Sequence, residues 1–164
     1  MRTFRIAMVV VAAVAVAALA ATGALAGPAV KKVTFSASYA GTAVVKVTDN
    51  VADIAVNGAG KGLPIGAGKV TGTGKGDSAQ QPCVPFTGTG VLTGAAGTKV
   101  TFKIAAGSSG CGDEAGEVFS VNARATVLKA TGKLAKAKGS LKITGVYDRN
   151  AGTFSVKFKG VLTQ

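Results

Sequence analysis

The sequence predicts an all-β protein: an antiparallel barrel of about eight strands with a short helical plug, preceded by a signal peptide. Three observations carry this reading. Apolar and polar residues alternate in run after run, the period of a strand with one buried face. The runs are joined by short connections, which favours a meander of neighbouring antiparallel strands. Glycine recurs at 58, 60, 62, 66, 68, 72, 74 and 76, always at even positions, and so falls on one strand face rather than in a Gly-rich coil.

The first segment precedes the fold. Arg2 and Arg5 make a basic start, Ile6 to Leu19 is an uncharged apolar run, and Ala24-Leu25-Ala26 is a small-x-small cleavage site. These are the three regions of a secretory signal peptide, here residues 1–26. An uncleaved membrane anchor is the alternative. The Ala-rich run and the cleavage site favour removal, and no Cys follows that would carry a lipid anchor. Residues 27–164 then form a single barrel domain of a secreted protein. With Arg2 and Arg5 gone, 17 basic residues face 7 acidic ones, a net charge of about +10.

The strands follow in order. Lys32 to Val47 is one long strand or a bent pair, with Val33, Phe35, Ala37 and Tyr39 inward and a bend or bulge expected at Gly41. Asp49-Asn50 is a turn. Val51 to Lys61 and Ile65 to Lys75 carry the even glycines, whose missing side chains would let coiled strands cross closely or let another side chain lie across them. Val84 to Leu92 is turned by Gly94 to Gly97 into Thr98 to Ala105, with Val100, Phe102 and Ile104 inward. Gly107 to Gly116 reads as a loop. Glu117 to Lys129 and Gly139 to Tyr147 come next, and a turn at 148–152 leads into Thr153 to Thr163.

Between the strands ending at Lys129 and beginning at Gly139 lies the expected plug. Thr131-Gly132 and Gly139-Ser140 are breakers. Leu134 and Ala137, three apart, would turn inward on a helical turn while Lys133, Lys136 and Lys138 stay in water.

Thr89-Gly90-Val91 and Ala96-Gly97-Thr98 return as Thr144-Gly145-Val146 and Ala151-Gly152-Thr153. Duplication of a strand pair and shared turn chemistry explain the echo equally well. A difference of one in phase after the turn predicts a bulge in one hairpin. The run TGKLAKAKG (131–139) beside FTGTGVLTG (86–94) resembles small secreted bacterial proteins similar to the dirigent and allene oxide cyclase barrels. The resemblance covers roughly Val84 to Leu162. It implies an antiparallel barrel of eight strands and brings no catalytic residue with it.

Cys83 and Cys111, the two cysteines of an exported chain, are expected to pair. There is no His, which removes the usual general base, the Ser-His and Cys-His nucleophile pairs and the usual zinc donors. Asp113, Glu114 and Glu117 lack the spacing of a known calcium loop and read as a solvated acidic loop, so no metal or other cofactor is expected. Arg124 lies mid-strand on a polar face, outward in water or else at a barrel mouth holding an anion.

Lys133, Lys136 and Lys138, with Arg124, are the candidate contacts to an anionic cell-envelope polymer; a small ligand inside the barrel is the other candidate partner. Nucleic acid is not expected, and membrane contact is expected only through an uncleaved signal peptide. The role that follows is non-catalytic binding or structure at the cell envelope or outside the cell. A barrel enzyme of isomerase or cyclase type acting on a small apolar ligand is the alternative.

Overall fold

Alternation closes into a ring. A computed structural model describes residues 30–164, so the expected signal peptide lies outside the described residues. Its strands are β1 (Lys32–Thr48), β2 (Val51–Leu63), β3 (Gly66–Asp77), β4 (Cys83–Thr93), β5 (Lys99–Ile104), β6 (Ser109–Gly112), β7 (Val118–Ala130), β8 (Lys138–Asp148) and β9 (Thr153–Thr163). All pairings are antiparallel, and β9 returns to β1 to close the sheet. Lys31 and Gln164 exchange backbone hydrogen bonds across that seam. The hydrogen-bonded ring is therefore complete within residues 31–164.

β5 and β6 share one position between β4 and β7, so nine strands make an eight-stranded barrel. The segment expected as a loop, Gly107 to Gly116, thus contains a strand. On β4, residues 86 and 87 separate the partners of Ile104 and Ser109; on the β5–β6 side residues 105–108 do. This excursion is pinned from both sides. The Phe86 amide donates to the Ser108 carbonyl at 3.0 Å, and the Ser108 hydroxyl accepts from the Arg124 amide at 3.2 Å. β6 is hidden in the sequence because its buried residue is Gly110, beside Phe119, and glycine leaves no apolar signal.

Two other expectations are corrected by the register. Gly41 sits in uninterrupted ladders to both β2 and β9, with no bulge. It is opposite Gly58, and a Cβ there would run into the Asn57 carbonyl and Gly58. Neither echoing hairpin contains a bulge either. Residues 94–98 separate the paired ends of β4 and β5, whereas only 149–152 separate those of β8 and β9, so the phase slips in the turn. The observed bulge is at Leu128 of β7, skipped between the pairs Phe102–Val127 and Thr101–Lys129. It moves the inward phase from odd to even numbers, leaving Leu128 exposed and Ala130 half-buried.

The expected helical turn is reduced to a 3-10 turn at Gly132–Leu134. Lys136, with φ of 65°, interrupts further helix. Leu134 and Ala137 are nevertheless buried in the core, and Lys133, Lys136 and Lys138 are exposed. The Thr98 hydroxyl accepts from the Lys133 amide, and the Gln164 side chain donates to the carbonyls of Lys133 and Ala135 at 3.1 and 3.0 Å.

The inward faces are apolar throughout, with Phe35, Tyr39, Phe102, Phe154 and Phe158 among the core residues. The outward faces carry the lysines, including Lys99, Lys103, Lys142, Lys157 and Lys159, all exposed. That is the reverse of a lipid-embedded barrel, whose outward face is apolar.

Candidate functional site: an apolar cavity open at one end

The two ends of the barrel are built differently. At one end meet the β2–β3 and β4–β5 turns, the 131–137 connection and the chain seam. Ile65, Leu92, Val100, Leu134, Leu141 and Leu162 are all fully buried. At the other end meet the β1–β2, β3–β4, β6–β7 and β8–β9 connections. There the inward residues become progressively exposed: along β1, Ala43 is buried, Val45 half-buried and Val47 exposed.

Between these ends lies a cavity of about 220 Å³. Its walls are Val45, Ile54, Val56, Phe86, Phe102, Ile104, Val121, Phe154 and neighbouring apolar groups. Tyr147 and Arg149 are the ionisable residues in the lining, and Ser78 and Gln81 are among its other polar ones. The Arg149 guanidinium lies 5.2 Å from the centre of the Phe119 ring, and one of its nitrogens donates to the Gly116 carbonyl at 3.4 Å. The lining holds no carboxylate, lysine or thiol to carry a proton or attack a carbonyl.

The even glycines form one wall of this space. Gly72 faces Gly90 and Gly74 faces Gly88 across β3 and β4. A Cβ on Gly88 would stand 2.8 Å from the Gly74 Cα and meet the Thr73 carbonyl. The strands coil too tightly here for side chains on their inner face. Elsewhere aromatic rings lie over the glycines: a Cβ on Gly58 would meet Phe154 at 2.8 Å, and one on Gly60 would meet the Tyr39 ring at 2.7 Å. Tyr39 also packs edge-on against Phe158 at 5.8 Å. Its hydroxyl is buried without a hydrogen-bond partner, and burial raises its pKa above the usual value.

The candidates read from the sequence fall outside this cavity. Cys83 and Cys111 are register partners across β4 and β6, joined by a disulfide with Cα atoms 3.9 Å apart. The bond fastens the short β6 near the open end. Arg124 projects from the exposed outer face of β7, and Lys133, Lys136 and Lys138 stand at the closed end. Asp113 accepts from the Glu117 amide at 2.9 Å, so it serves its own turn, and among the described residues no group of acids converges as a metal site would require. Arg149 escaped the sequence reading because it sits in a turn, where alternation says nothing about which side chain reaches a cavity.

No protein-family profile matches the chain, and no curated protein matches it in sequence.

Proposed function

We propose that the protein is an exported, non-catalytic barrel that takes up a small apolar molecule through its open end. The observation carrying this reading is the apolar cavity. An enclosed apolar volume of about 150 Å³ suffices for a benzene-sized guest, so this one suits a molecule of about ten heavy atoms. A polar substituent would rest at the mouth beside Ser78, Gln81 or Arg149. The 131–137 connection acts as the plug, with Leu134 and Ala137 sealing the far end. Export is supported by the N-terminal sequence and by the disulfide, a bond that persists in oxidising compartments. Kinship with the dirigent and allene oxide cyclase barrels has the eight-stranded architecture in its favour and no catalytic group.

The test is calorimetric titration of residues 27–164 with tert-butylbenzene and similarly sized terpene alcohols. Binding should raise Tm progressively with ligand concentration, continuing to rise above saturation. Val121→Phe, which fills the cavity from β7, should abolish binding while leaving the barrel folded by circular dichroism. No binding at millimolar ligand, or binding unchanged in the filled variant, would refute the reading.

A further inference from the structure

The carboxylates and lysines are sorted along the barrel axis. Six of the seven acids, Asp49, Asp77, Asp113, Glu114, Glu117 and Asp148, stand at strand ends or in connections around the open end. The seventh, Asp53, lies two residues inside β2 from the same end and pairs with Lys75 at 3.0 Å. The closed end has no acid. It carries Lys31, Lys32, Lys61, Lys99, Lys129, Lys133, Lys136 and Lys138, every one exposed. The antiparallel ring creates this arrangement by bringing alternate connections to the same pole. Lys46, Lys75 and Arg149 also lie near the open end, but the seven acids outnumber them, so the molecule is an electric dipole with a basic closed pole and a net acidic rim.

The same pole carries the two most exposed large aliphatic side chains among the described residues. Leu63, ending β2, is 75% exposed, and Val30, before β1, is 68% exposed. Lysines and exposed aliphatic groups at one pole suit a bilayer surface, where the amines meet phosphates and the aliphatics enter the acyl boundary. A hydrated polysaccharide would offer nothing to Leu63. We infer that the closed pole seats on an anionic lipid surface, with the acidic rim repelled from it, so that the mouth faces away. This does not depend on what the cavity holds.

The experiment is co-sedimentation of residues 27–164 with vesicles of phosphatidylcholine alone and with about one-third phosphatidylglycerol, at low and roughly physiological salt. Binding is expected on the anionic vesicles only, weakening with salt. Each lysine near such a surface raises affinity about fivefold. Reversing Lys133, Lys136 and Lys138 to Glu should therefore lower affinity about a hundredfold or more. The matched triple at the waist, Lys103→Glu, Lys142→Glu and Lys157→Glu, changes net charge equally and should cost less than about tenfold. Leu63→Ser should lower vesicle affinity several-fold while leaving binding to soluble polygalacturonate unchanged. The inference is overturned by absence of binding to anionic vesicles at low salt or by equal effects of the two triples. Binding to polygalacturonate as tight as to vesicles and indifference to Leu63→Ser would also overturn it, and would point to a wall polymer. Circular dichroism of each variant separates these outcomes from loss of fold.

Discussion

At the scale of single residues, the informative side chain is Tyr39. It fills the core against Phe158 while its hydroxyl finds no partner. An unsatisfied buried hydroxyl costs about 1–3 kcal/mol. Tyr39→Phe keeps the ring and removes the cost, so it should stabilise the barrel by about 1 kcal/mol at pH 8. The pH dependence follows from the raised pKa. Below the ordinary value of 10.0 the phenol is neutral in both states. Above it the unfolded chain gives up a proton that the folded chain keeps, so stability falls as pH rises through the folded value. The Tm difference between Tyr39→Phe and the wild type should therefore widen from pH 8 to pH 11. A constant gap would show that the hydroxyl is solvated.

At the scale of elements, the inner face of β3 and β4 is set by contact between backbones. Gly88→Ala places a methyl 2.8 Å from the Gly74 Cα, and backbone must move. A cost of about 1–3 kcal/mol is expected in urea unfolding. Gly110 in β6 is the contrast. It is buried, yet its added Cβ would lie 3.9 Å from Phe119, an ordinary contact. Gly110→Ala should be neutral or stabilise by up to about 1 kcal/mol through the unfolded chain. Similar costs at both positions would mean that glycine serves strand flexibility instead of close approach. The two echoing hairpins make a related point. The β4–β5 turn lies at the closed end and the β8–β9 turn at the mouth. Similar sequences therefore do opposite jobs, one sealing and one lining the opening.

At the scale of the whole molecule, the disulfide acts on the chain as an ensemble. Cys83 and Cys111 are 28 residues apart in sequence. Closing such a loop restricts the unfolded state by about 3.5 kcal/mol. Cys83→Ser with Cys111→Ser should lose about that much in chemical denaturation. Hydrogen exchange should rise first in β6, which has only four residues to hold it between β4 and β7. A loss below about 1 kcal/mol would mean that the reduced unfolded chain is already compact. Ring closure also decides polarity, because the direction of each strand determines which pole receives each charged connection.

The sequence by itself determined the strand faces, the barrel class, the bridge and the excess of basic charge. Side-chain alternation is a local property: Val100, Phe102 and Ile104 announce an inward face whatever strand lies beside them. The two cysteines left one pairing to make. Tertiary structure alone decided β6, the bulge at Leu128, the cavity and the segregation of charge between the poles. Register and closure belong to pairs of strands far apart in sequence. A glycine such as Gly110 gives no apolar signal, and a turn residue such as Arg149 has no phase. Lys133 and Asp113 are simply charges in connections until the ring assigns one to the sealed end and the other to the rim.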